Sequence, residues 1–205
     1  MCLIKIQRKK QLINLGEIKR KITSKFDFLS SRIKRRTVIL KLKKADIIMA
    51  KPRLFSLSPL SLLYRIILRS DYVHSMLYIG NSKIIHTTTK DGVTIHNVPW
   101  KIYKKNNYTI FRVKGLNSET RDQIVNEALK LQDMKIDLLG LISNIPRNLF
   151  GIKKSFSKIE KNSIWCSKLI YQSYSTVGIK LVEEDESGKI TSDILSKSKL
   201  LKVIL

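Results

Sequence analysis

At 205 residues and 23.7 kDa, the chain is long enough for one domain with a sizeable core and only awkwardly long enough for two. Its 43% hydrophobic and 27% charged residues exclude a disordered chain and describe a globular one. The 40 Lys and Arg against 16 acids give a formal charge of +24, which suits nucleic acid, an anionic membrane surface or an acidic polymer; a Lys-rich but merely solvated surface carries the same total.

The first 36 residues hold 12 Lys or Arg and two acids, Glu17 and Asp27. Within them Ile18, Ile22, Phe26, Leu29 and Ile33 recur at helical spacing, which predicts one apolar stripe on a basic helix. Such a helix either packs on the domain or meets an anionic membrane or nucleic acid. The basic start is followed by no apolar core of signal-peptide length, and Pro59, several serines and Arg65 break the apolar run from Leu54 to Leu68. The expected protein therefore has neither signal peptide nor membrane span and is cytoplasmic, at most peripheral to a membrane. Residues 1–36 read as a basic amphipathic extension and 37–205 as the folded domain.

A short strand is expected at Val38 to Leu42 and a buried one in Ala45-Asp46-Ile47-Ile48-Met49-Ala50. Four strands follow: His74 to Ile79, Lys83 to Thr87, Val93 to Asn97 and Tyr108 to Val113. Gly80-Asn81 and Asp91-Gly92 stand between them as turn dipeptides, so this stretch is an antiparallel meander. Ser118 with Glu119 opens a helix to Leu131, with Ile124, Ala128 and Leu131 on one face. A second helical stretch is expected over Ile136 to Phe150, interrupted by Gly140 and Pro146. A third begins near Ser163, carries Leu169, Ile170, Tyr174 and Val177, and ends at Gly178. Ile190 to Ser196 fits one helical turn and Leu201 to Leu205 a closing strand. Strands followed by helices, with little alternation, define an α+β class.

Two cysteines, Cys2 and Cys166, far apart in the chain, make neither a disulfide framework nor a closely spaced zinc motif, which suits a reducing compartment. Cys166 lies in Asn162-Ser163-Ile164-Trp165-Cys166-Ser167-Lys168, in the first turn of its expected helix, with Asn162 or Ser163 available as N-cap. The amides and dipole there favour an anion and lower a thiol pKa, although a free Cys on a helix is commonly just buried packing. His74 and His86 flank a hairpin whose turn centres on Gly80. If paired residues sum to 160, as a three-residue loop requires, His74 stands opposite His86 on one face, and a slip of one residue separates them. Nucleophile, base and orienting group are then Cys166, His74 and His86. His96, on an exposed strand end, is the alternative orienting group.

Ala45-Asp46-Ile47-Ile48, Tyr72-Val73-His74-Ser75-Met76-Leu77-Tyr78-Ile79-Gly80, Ile84-Ile85-His86, Asp91-Gly92-Val93 and Trp165-Cys166-Ser167-Lys168-Leu169-Ile170-Tyr171 together resemble the circularly permuted NlpC-type branch of the papain-like superfamily. That branch includes bacterial hydrolases, poxvirus homologues and lecithin:retinol acyltransferase-like enzymes. Weaker matches at Asp137-Leu138-Leu139-Gly140, Gly178-Ile179-Lys180-Leu181 and Thr191-Ser192-Asp193-Ile194-Leu195 keep the same order, from residue 40 to the end. The resemblance implies a permuted papain-like fold, an antiparallel sheet packed against the Cys-bearing helix. It implies His74 as base, Cys166 as nucleophile and His86 as third polar residue, as in the acyltransferase-like members. Lys168 departs from the Glu that relatives often carry.

The resulting expectation is a cysteine-dependent hydrolase or acyltransferase, acting through an acyl-thioester on an amide or ester of a lipid or peptide, with no cofactor. The alternative is an inactive basic module that binds anionic lipid or nucleic acid; the sequence has no aromatic-rich motif for nucleic acid. A zinc site of His74, His86 and Cys166 is a third reading, without the close ligand spacing of common zinc motifs.

Overall fold

A computed structural model describes residues 2–52, 71–104, 106–137, 163–182 and 190–205. The chain divides into two compact units, residues 1–41 and 42–205. The first is a single helix, α1 (Cys2–Lys41). The strand expected at Val38 to Leu42 is therefore not formed: β-branched Val38 and Ile39 cost an established helix only about half a kcal/mol each, and the helix runs through them. The division accordingly falls after Lys41 rather than after residue 36. On α1 the side chains of Ile22, Phe26, Leu29 and Ile33 are exposed, Phe26 to 74%. Among the described residues no helix is long and apolar enough to cross a membrane.

The second unit is built on a six-stranded antiparallel sheet in the order β4-β3-β2-β1-β5-β8. Its strands are β1 (Ile47–Ala50), β2 (His74–Gly80), β3 (Lys83–Thr88), β4 (Gly92–Asn97), β5 (Tyr108–Val113) and β8 (Leu201–Val203). The first three strands of the expected meander pair as β2-β3-β4, but the fourth, β5, leaves it and pairs instead with β1, which sits between β2 and β5. Strand alternation sends Ile47, Met49, Leu77, Ile85, Val93 and Phe111 to one face. They form the core with Ile124 and Ala128 of α2 (Ser118–Lys130) and Leu169, Ile170 and Tyr174 of α3 (Cys166–Ser175). The opposite face buries Ile48, Met76, Ile84 and Ile110.

Helix α2 starts where the sequence placed it, with Asn117 as cap: its Oδ1 accepts from the Thr120 amide at 2.8 Å. Its successor differs. Lys135–Ile136 is a short strand, β6, parallel to β7 (Ser163–Ile164), where a helix from Ile136 was expected. Asp137, also expected in that helix, is not helical and its amide donates to the Ile164 carbonyl at 3.4 Å; residues 138–150 and the Leu54 to Leu68 run lie outside the described residues. Ser192–Ser196 forms the short helix α4, capped by Thr191, whose Oγ1 accepts from the Ile194 amide.

One buried charge ties these layers together. Asp46 is wholly buried and accepts two hydrogen bonds from Arg112, Nε to Oδ1 at 2.7 Å and Nη2 to Oδ2 at 2.6 Å. The Lys43 amide adds a third at 2.8 Å. Arg121 of α2 lies 3.8 Å from Oδ1 and donates to the Lys44 carbonyl at 3.0 Å, and Tyr174 of α3 donates to the Ala45 carbonyl. The carboxylate thereby fixes the entry of β1 against β5, α2 and α3.

Candidate active site

Helix α3 packs across β2 and carries Cys166 as its first residue. Its N-cap is Trp165, in extended conformation and without a side-chain cap bond, rather than Ser163, which lies in β7; Asn162 falls outside the described residues. The helix is held instead through the side chains beside the thiol. Trp165 Nε1 and Ser167 Oγ both donate to the Ile190 carbonyl, at 2.8 and 2.5 Å. These bonds dock the helix start on the 190–192 segment, and among the described residues no side chain caps the first-turn amides. The Lys168 ammonium lies 5.0 Å from the Trp165 ring centroid and adds positive charge at the same end.

The hairpin that supplies the histidines turns at Asn81-Ser82, both at positive φ (50° and 58°), with Gly80 at φ 98° opposite Lys83. Two positive-φ residues in succession make the type I′ geometry that matches strand twist, and Asn tolerates it. The turn therefore sits later than one centred on Gly80, and an irregularity between Tyr78 and Gly80 sets the register to Leu77↔Ile85 and Tyr78↔Ile84. Those pairs sum to 162, so the expected sum of 160 is wrong by two. His74 and His86 are diagonal rather than directly opposite. A shift of two preserves the face, and diagonal aromatic side chains still reach each other.

His74 Nε2 lies 2.8 Å from His86 Nδ1, with the rings edge-on at 66°. The same diagonal step recurs on the next strand, where His86 Nε2 lies 2.9 Å from His96 Nδ1. Cys166, half-buried, lies beside His74 and Ser75, whose charge and polar groups act on the thiol. The three expected residues are thus brought together, and His96, expected only as a substitute for His86, instead extends the row beyond it.

Burial pushes the Cys166 thiol pKa up, but the His74 charge, its hydrogen bond and the two contacts from Ser75 outweigh burial and bring it down to about 7. His86 moves further: burial, then the charges of His74 and His96, lower its pKa to about 3, so it stays neutral at physiological pH. A neutral His86 offers one donor nitrogen and one acceptor.

Sequence reasoning did not find Ser75. It is wholly buried, touches the thiol and shares a 2.9 Å hydroxyl contact with Ser192. Its only signal was a small polar residue within an apolar strand, next to His74. Among the described residues no cluster of three or more His, Cys, Asp or Glu could hold a metal ion. The imidazole nitrogens face one another in a row instead of converging on one point.

Comparison with known proteins gives a single kind of likeness. No protein-family model matches the chain, and no curated protein matches it. The fold is similar to the crystal structure of metalloprotein YiiX, DUF1105, from Escherichia coli O157:H7. The TM-score is 0.57 at 18% identity, over 80% of this chain and 96% of that one. At that identity the likeness is one of fold.

Proposed function

We propose that the second unit is a permuted papain-like thiol enzyme, a hydrolase or acyltransferase, in which Cys166 attacks the carbonyl of an amide or ester. The observation that carries this reading is the placement of Cys166 beside the hydrogen-bonded His74–His86 pair, with the thiol pKa lowered to about 7. With His74 Nε2 engaged by His86, Nδ1 is the ring nitrogen left for the thiol. His74 takes the thiol proton, the sulfur bonds to the carbonyl carbon, and the oxyanion is met by the uncapped first-turn amides of α3. Collapse of the tetrahedral adduct breaks the bond to the leaving amine or alcohol, which receives the proton from His74. The acyl-thioester is released by water or another acceptor, whose proton His74 removes. Lipid esters and peptide amides are both candidate substrates.

The neighbour from E. coli is called a metalloprotein, but the donors here bond to one another, so no step is routed through a metal. A second reading concerns α1 alone: its exposed Ile22, Phe26, Leu29 and Ile33 among many basic residues favour contact with an anionic membrane surface. Salt-sensitive binding to phosphatidylserine vesicles, unchanged by Cys166→Ser, tests it.

For the enzyme reading, iodoacetamide labelling of Cys166 is followed between pH 5 and 9. The expected midpoint is about 7. In His74→Ala only the Ser75 contacts still oppose burial, and the midpoint should rise toward or beyond the ~8.5 of a free thiol. A folded wild-type protein whose thiol titrates near 9 removes the basis for the proposal. Acyl-enzyme mass spectrometry with lipid esters and peptide amides then assigns the substrate class.

A further inference from the structure

His96 is the one member of the row that the proposed chemistry does not use. Its ring is exposed on β4, its Nδ1 lies 2.9 Å from His86 Nε2, and the His86 to His74 contact repeats the same Nε2-to-Nδ1 sense at 2.8 Å. Around it, His86 touches its ring, and Lys83 on β3 pairs with the adjacent Asn97 and so points to the alternate face. Lys135 lies on β6, which packs beside β4.

We propose that His96 is a positioning residue that sets the direction of the histidine row and so keeps His74 in the tautomer able to accept the Cys166 proton. This rests on the enzyme reading above. Each hydrogen bond in the row needs one protonated and one bare nitrogen. When His96 is neutral with a bare Nδ1, His86 places its proton on Nε2 to meet it, and His86 Nδ1 is left bare. His74 must then carry its proton on Nε2, which leaves Nδ1 free as base. After His74 takes the thiol proton its Nε2–H still points at an acceptor, so the imidazolium is stabilised without any proton moving along the row.

A proton on His96 Nδ1 reverses the whole row. His86 must then accept at Nε2 and donate from Nδ1, and His74 must accept at Nε2. His74 can no longer be an imidazolium in that arrangement, so its neutral form holds the proton on Nδ1, facing the sulfur. Protonation of His96 and ion-pair formation between Cys166 and His74 therefore exclude each other. The coupling differs from that of the aspartate or asparagine third residue in other cysteine enzymes, because the outermost group here can itself reverse the row.

The test compares wild type, His96→Gln and His96→Phe by the pH profile of iodoacetamide labelling at Cys166, with thermal unfolding as the check on folding. Gln presents an amide oxygen to His86 Nε2 and does not titrate in this range, whereas Phe leaves that nitrogen without an acceptor and shields it from water. His96→Gln should keep the labelling rate at pH 7.5 and lose the part of the acid fall-off that comes from His96. His96→Phe should lose reactivity at pH 7.5 on the order of ten-fold, the factor carried by one directed hydrogen bond. A His96→Phe profile matching wild type overturns the proposal, as does an equal loss in both variants. If His96→Phe does not fold, an unchanged acid limb in His96→Gln overturns it. A wild-type thiol titrating near 9 is a separate outcome, one that removes the enzyme reading itself.

Discussion

His74 Nε2 lies 2.8 Å from His86 Nδ1, a contact that holds only if one nitrogen carries a proton and the other does not. Because burial keeps His86 neutral, the bond fixes the His74 ring against Cys166 without adding a charge that competes with the thiolate. In the proposed enzyme reading His86 is a neutral orienting group, where a carboxylate would stabilise the imidazolium more strongly.

Replacing His86 by Ala should therefore free the His74 ring while leaving the proposed base in place. We expect Cys166 labelling at pH 7 and any acyl transfer to fall by roughly 10- to 100-fold, less than the ~100- to 10,000-fold loss expected on removing the base itself in His74→Ala. His86→Gln, which can accept from His74 and donate to His96, should recover most of it. Labelling rates and acyl-enzyme formation measured on the same preparations check both points. Equal losses in His86→Ala and His74→Ala would assign His86 a chemical role instead of an orienting one.

The same burial has a consequence for stability. Folded, His86 takes a proton only near pH 3; its ordinary value is 6.5. Between those values the unfolded chain binds more protons than the folded one, so stability falls as pH is lowered through 6.5 and continues falling toward 3. Above about pH 5 most carboxylates remain ionised, which isolates the histidine contribution. Urea midpoints at pH 7.5, 6.5 and 5.5 should drop in wild type and drop less in His86→Gln. Parallel declines would show that His86 is not held neutral.

How far the sequence revealed this site follows from which interactions are periodic. Strand alternation placed His74 and His86 on one face even though the turn was misplaced, because an error of two residues leaves the face unchanged. The helix bearing Cys166 was legible, but its start was expected near Ser163; there the chain forms β7, and the helix begins at Cys166 itself. Its cap was not legible, since the bonds from Trp165 and Ser167 run to Ile190, a residue distant in sequence. Ser75 and the extension of the row to His96 depend on strand order and diagonal reach, which no local pattern encodes. The error at Val38 to Leu42 is of another kind, a propensity for strand overridden by a helix already in progress.

Gly92 offers a check on how β4 is held in place. It sits at φ 67°, and a Cβ built there would lie 2.2 Å from the Met134 carbonyl oxygen. The Val93 amide donates to that same oxygen at 2.8 Å, so the contact cannot relax without breaking the link between β4 and the 132–134 turn. Gly92→Ala should cost about 1–3 kcal/mol from backbone conformation, with the clash adding to it. Thermal unfolding of the variant measures this. A change within experimental error would mean that the turn is free to move away.

Asp46 and Arg112 give the last expectation, which separates the worth of a buried ion pair from the cost of breaking it. Asp46 is fully buried and bidentate with Arg112, and its hydrogen bonds hold the guanidinium pKa above the usual Arg value. Asp46→Ala takes from the mostly buried Arg112 guanidinium the carboxylate it binds through two hydrogen bonds, and Arg121 loses a neighbouring charge. Removing one partner of such a pair should destabilise the fold by about 3–5 kcal/mol. Adding Arg112→Leu to Asp46→Ala removes the charge that Asp46 had balanced, and the double variant should be more stable than Asp46→Ala alone. Denaturant titration of the two single variants and the double variant completes the cycle. If the second substitution makes the protein weaker still, Arg112 contributes chiefly through its other contacts, and the carboxylate is not what anchors β1 to β5.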